Sequence, residues 1–91
     1  MTYRIPHRVG HVTLPPEDGR HVAVYLMPLP DGDPVALHHT AALIWTLAAE
    51  GEPDVAASLA ELLAVPAETV RDEVERYLAD LVFQGLLEEV R

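Results

Sequence analysis

The chain has 91 residues, enough for one small domain around a single hydrophobic core and too few for a second lobe to frame an active-site cleft. Fifteen acidic against six basic residues leave a net charge of -9, which sets the protein against phosphate backbones, and the absence of cysteine excludes disulfides, thiolate metal sites and a cysteine nucleophile. With 49% hydrophobic residues the sequence can bury a core and does not belong with disordered chains.

The first residues, from Met1 to Arg8, carry charge but lead into no apolar run of secretory length, and nowhere do about 18 apolar residues run together. The expectation is a soluble, cytoplasmic protein in which residues 1–91 form one domain. Residues 11–14 read as a strand, and Pro15, Pro16, Asp18 and Gly19 as the turn of a hairpin. In the returning strand, residues 20–27, a period of two puts Val22, Val24 and Leu26 on one face and His21, Ala23, Tyr25 and Met27 on the other. The first set is the better core candidate. Pro28 and Pro30 end regular pairing because proline has no N–H to donate, and Pro30, Asp31, Gly32 and Asp33 supply a second turn. A third strand over residues 34–38 turns Val35 and Leu37 to the core and Ala36 and His38 away from it. Three sequential strands form an antiparallel meander with the third at an edge.

From Thr40 the period becomes helical. Ala41, Leu43, Ile44, Trp45, Leu47 and Ala48 make an almost wholly apolar helix that stops near Gly51. Asp54 can cap a second helix running through Leu63, with Val55, Leu59, Leu62 and Leu63 inward. Pro66, in a first-turn position, opens a longer third helix that closes at Gly85. Its apolar stripe is Val70, Val74, Tyr77, Leu78, Leu81 and Val82, while Glu68, Asp72, Glu75, Arg76 and Asp80 fill most of the remaining surface. The tail from Leu86 to Val90 suits either a short strand or a helix remnant. The fold class is therefore α+β: a winged-helix-like, three-stranded antiparallel sheet followed by three helices.

Catalytic chemistry is hard to assemble from this inventory. Five histidines include the pair His38 and His39, but adjacent side chains diverge and no third ligand sits at a metal-binding spacing. The hydroxyl residues show no nucleophile elbow, and five glycines form no phosphate loop. The expectation is a protein that is not an enzyme, with no metal and no cofactor. The proline-marked turn between the second and third helices raises a winged-helix DNA-binding regulator, paired as a dimer through the face of Tyr25, Met27 and Leu29, as the alternative. Against it, the would-be recognition helix carries Glu68, Asp72, Glu73, Glu75 and Asp80 where docking needs cations. No nucleic acid and no membrane are expected as partners.

The run from Val35 to Trp45, then Glu50-Gly51, then Val55 to Leu59, Val70 to Leu81 and Gln84 to Glu88, resembles the PqqD-like peptide chaperones, also called RiPP recognition elements. The resemblance covers roughly residues 10–90 and rests on hydrophobic spacing and turns. With His38-His39 where PqqD itself usually has Asn and an acidic residue, the chain looks more like the recognition proteins of lasso-peptide pathways. The resemblance implies that a precursor's leader peptide, often carrying Tyr-x-x-Pro, adds a strand to the third strand and lays side chains in a groove shared with the third helix. It further implies a leader peptidase and an ATP-dependent macrolactam synthetase as partners.

The third strand is suited to this role on physical grounds as well, because unpaired backbone groups along an edge can pair with an extended peptide while pockets read alternate side chains. The expected peptide-binding residues are Asp33 and Pro34, which guard the edge against indiscriminate pairing, Val35, Ala36, Leu37 and His38 along it, and Val70, Val74, Tyr77, Leu78 and Leu81 from the third helix. Val70 and Tyr77 lie toward one margin of the helical stripe, and Leu78 and Val82 toward the other. About half of such a stripe serves as ordinary core, and the spacing leaves open which margin lines the groove.

Overall fold

The computed structural model describes residues 2–14, 23–28 and 32–90. In chain order these form β1 (Thr2–Arg4), β2 (Val9–Leu14), β3 (Ala23–Pro28), β4 (Val35–His38), α1 (Thr40–Ala49), α2 (Val55–Leu63), α3 (Ala67–Phe83) and β5 (Glu88–Val90). The class is α+β as expected, with the meander β2-β3-β4 leading into three helices. Among the described residues no helix is long and apolar enough to cross a membrane.

The central strand β3 pairs antiparallel with β2 and β4, with Tyr25 opposite both Val12 and Ala36. The period of two holds on it: Val24 and Leu26 are fully buried, whereas Tyr25 and Met27 are exposed. Ala23 is also buried although it belongs to the outer set. The expected first turn, and His21 and Val22 with it, lie outside the described residues, as do Leu29 and, from the second turn, Pro30 and Asp31. Gly32 closes that second turn by donating its N–H to the Pro28 carbonyl at 2.9 Å. A Cβ at Gly32 would collide with the Pro28 ring, so the turn tolerates no side chain there.

Helix α1 forms the centre of the core, with Ala42, Ile44, Trp45 and Ala48 buried. Asp54 caps α2 as its position suggests, accepting the Ala57 N–H at 3.1 Å. Val55 and Leu59 are buried with Ala56 and Ala60, but Leu62 and Leu63 are exposed, contrary to the inward placement expected of them. The cause is positional. Every residue from Glu61 to Pro66 is exposed, so the last turn of α2 overhangs the core and no element among the described residues covers its leucines. The helix ends on Ala64 with φ 56° and ψ 45°, a left-handed cap for which glycine or asparagine is the usual choice.

Pro66 stands at the N-cap of α3, one residue ahead of the first turn, with extended ψ. At the other end Gly85, at φ 78°, reverses the chain: Leu86 N–H reaches the Leu81 carbonyl at 2.9 Å, and Gly85 N–H reaches Val82 at 3.0 Å. This reversal drops Leu86 and Leu87 into the core, where the Trp45 Nε1–H donates to the Leu86 carbonyl at 3.2 Å. The tail then becomes β5, which pairs antiparallel with β1 in a separate two-stranded ribbon, Thr2 opposite Val90. Strand β1 is an addition to the expected architecture, and an Arg4–Glu88 ion pair of 2.6 Å joins the two strands.

Candidate functional site

Strand β4 bonds to β3 on one side only, and among the described residues no strand pairs with its outer edge. The alternation along it is Val35 half-buried, Ala36 exposed, Leu37 buried and His38 exposed. Asp33 and Pro34 stand exposed at its entrance. At its exit His39 takes φ 56° and ψ -129°, outside the allowed regions for an L-residue. Holding a side chain in such a conformation costs about 1–3 kcal/mol. That corner is enforced by the direct passage from sheet to α1, and it fixes where the free edge stops. The His38 ring meets Tyr25 edge-on at 6.3 Å and lies 6.4 Å from His39, while His11 packs against Trp45 at 5.5 Å.

On α3, Val74, Leu78 and Leu81 are buried, and Val70, Tyr77 and Val82 are half-buried against the same core. Val35 and Leu37 of β4 join that cluster; Asp33, Pro34, Ala36 and His38 remain outside it at the surface. The sheet side of the predicted site is thus an exposed backbone edge, and the helix side is a sealed centre with two partly open margins. The packing of β4 is against β3 and α1, and that of α3 is chiefly against α2.

Among the described residues, clefts open on both sides of α3, and no β4 residue lines the two described below. The smaller, about 380 Å³, lies beside Glu73, Arg76, Tyr77 and Asp80. Burial, and then the charge of Asp80, push the Tyr77 phenol above its usual pKa. The larger, about 480 Å³, opens between the start of α2, the Leu78 margin of α3 and the β1-β5 ribbon. Sequence reasoning missed this second place: a strand is one of the two readings of the tail, but Thr2-Tyr3-Arg4 is too short to register as its partner until the two are seen to pair.

The charges around α3 bear on the DNA-binding alternative. Arg71 spends its guanidinium on Asp54, with both nitrogens at 3.2 Å from the two carboxylate oxygens, and lies 4.0 Å from Glu75. The Arg71 hydrogen bonds, helped by the Ala57 N–H, hold the Asp54 carboxyl below its usual pKa. What α3 presents to solvent is then dominated by Glu68, Asp72, Glu73, Glu75 and Asp80. Such a surface repels a phosphate backbone.

Among protein families, the description of PqqD, coenzyme PQQ synthesis protein D, matches residues 10–87. The chain belongs to the PqqD family. Members of the PqqD family are non-catalytic accessory proteins that bind a precursor peptide for modifying enzymes. The PqqD match begins after β1 and stops before β5, so the ribbon that walls the larger cleft lies outside the shared part of the chain. Comparisons with curated proteins and with solved structures returned no match.

Proposed function

We propose that residues 1–91 act as a single domain that binds the leader segment of a ribosomally made precursor, a lasso-peptide precursor in the reading the sequence favours. It delivers that leader to a leader peptidase and an ATP-dependent macrolactam synthetase. The observation that carries the proposal is the outer edge of β4, with which no strand among the described residues pairs, in a PqqD-family chain. A leader strand added there bonds to the backbone of residues 35–38, with Asp33 and Pro34 limiting its extent at one end and the His39 corner at the other. Backbone pairing supplies affinity that tolerates sequence change, and side chains pointing toward the helix supply selectivity.

Of the two margins of α3, Val70 and Tyr77 suit the groove better. The Leu78 margin already faces the start of α2 and the β1-β5 ribbon. Val74, Leu78 and Leu81, being sealed, hold α3 on the core and are not contact residues. No step of chemistry is assigned to the chain; its effect on the processing enzymes is to raise the local concentration of their substrate.

The test is fluorescence anisotropy of a labelled leader peptide containing Tyr-x-x-Pro, titrated with the protein and repeated with that Tyr and Pro changed to Ala. Saturable binding at roughly micromolar Kd or tighter, about 8 kcal/mol or more, and lost in the Ala peptide, is the expected result. Absence of binding to leaders of lasso and related pathways overturns the proposal.

A further inference from the structure

The larger cleft beside α3 combines an apolar floor with an unbalanced charged rim. Val55, Val74 and Leu78 supply buried carbon surface, and the ring of Tyr3 borders it. Three carboxylates, Asp54, Glu75 and Glu89, line it against the single guanidinium of Arg71. Arg71 binds Asp54 through two hydrogen bonds and lies 4.0 Å from Glu75, so one cation stands against three carboxylates and the rim keeps an excess of negative charge. Among the described residues no arginine pairs with Glu89. The excess is felt inside the cleft: after burial, the charges of Glu89 and Glu75 are what raise the pKa of the Tyr3 phenol.

We infer that this cleft is a docking site for a partner protein that inserts a basic side chain, an arginine or lysine flanked by apolar residues, between Glu75 and Glu89. Its aliphatic stem lies beside the Tyr3 ring and Ala79, over the floor that Val74 and Leu78 underlie, and its cationic head reaches the two carboxylates, the division that long basic side chains favour. A volume of about 480 Å³ exceeds what one such side chain fills and suits a short stretch of polypeptide better than a free cation. Because β4 contributes nothing to the cleft, a peptide paired to the strand edge leaves it open, and both can be held at once. Naming the partner as a processing enzyme rests on the proposed function; the preference of the cleft for a basic group does not.

The experiment is an NMR titration of the ¹⁵N-labelled protein with acetyl-Leu-Arg-Leu-amide, its lysine counterpart, and the same peptide carrying neutral citrulline. No leader peptide is present, so the outcome is separate from that of the anisotropy test. Saturable shifts of the Val55, Glu75, Ala79 and Glu89 amides with the cationic peptides, and weaker binding of the citrulline peptide, are expected. The pair Glu75→Gln with Glu89→Gln should weaken binding about tenfold at low salt, since each exposed charge contributes a factor of about 1.5–5. Glu73→Gln, on the opposite side of α3, removes the same charge without touching the cleft and should change little. Equal binding of the citrulline peptide, an equal effect of Glu73→Gln, shifts confined to β4, or no saturation would each overturn the inference.

Discussion

A proline placed in β4 interrogates the proposed binding edge directly. Along an antiparallel strand successive residues direct their N–H and C=O groups to opposite sides, so of residues 35–38 about two offer theirs to an incoming strand. They provide up to about four backbone hydrogen bonds, each with a net contribution of about 0.5–1.5 kcal/mol, or roughly 2–6 kcal/mol in total. That is a large share of the roughly 8 kcal/mol of a micromolar complex. Ala36 and Val35 are tested as a pair, since neighbouring residues direct their N–H groups to opposite sides of the strand and one of the two therefore faces the incoming peptide, where a proline on an edge strand is tolerated. Of Ala36→Pro and Val35→Pro, the one at the outward position removes one donor and leaves a peptide carbonyl facing a ring, at a cost of about 1–3 kcal/mol, or roughly 5- to 150-fold in Kd. The proline that faces β3 damages the fold, and the one that faces outward damages binding. Circular dichroism and the fluorescence of the single tryptophan identify the folded variant, and leader anisotropy gives its Kd. A folded variant at the outward position with unchanged Kd would refute strand addition to β4.

Three further predictions concern the framework of the site. Trp45→Phe deprives the Leu86 carbonyl of its donor and leaves a void at the centre of the core; urea unfolding should show a loss of roughly 2–4 kcal/mol, and a loss under about 1 kcal/mol would discount that bond. Ala64→Gly relieves a left-handed alanine of about 1–2 kcal/mol at an entropic cost of about 0.4–1 kcal/mol, so the melting temperature should rise by about 2–6 °C. The Asp54 pKa is lowered by folding, so its charge stabilises the native state above the unfolded value of about 4, and that contribution is lost as pH falls through the folded value. The stability difference between wild type and Asp54→Asn should therefore be level above about pH 5 and shrink on acidification; a difference independent of pH would sever the link to Arg71.

The elements most legible in the sequence were those with strong periodicity. Val24 and Leu26 against Tyr25 and Met27 identify the faces of β3, and the spacing from Val70 to Val82 identifies the buried stripe of α3 with its two margins. Asp54 and Gly85 act as cap and stop for the local reasons their types suggest. What escaped is non-local. Leu62 and Leu63 satisfy the helical pattern, yet burial depends on what packs opposite, and both stay exposed. Strand β1 has three residues and exists because it meets the tail, whose strand reading is only one of two, in a pairing between positions 2 and 90 that no local window contains. The larger cleft went unseen for the same reason, since it is partly walled by that pairing. His39 carried no sign of its backbone conformation, which arises from the angle at which β4 must enter α1.

The pairing of Thr2 with Val90 also has a topological outcome for anything attached to this domain. Polypeptide continuing before Thr2 and polypeptide continuing after Val90 depart from the same spot, side by side, beside Tyr3 and Glu89. A fused enzyme, a fluorescent tag or a surface tether therefore has the same starting point whichever terminus is used. Exchanging one terminus for the other changes the order of the gene and leaves the starting geometry of the assembly nearly unaltered.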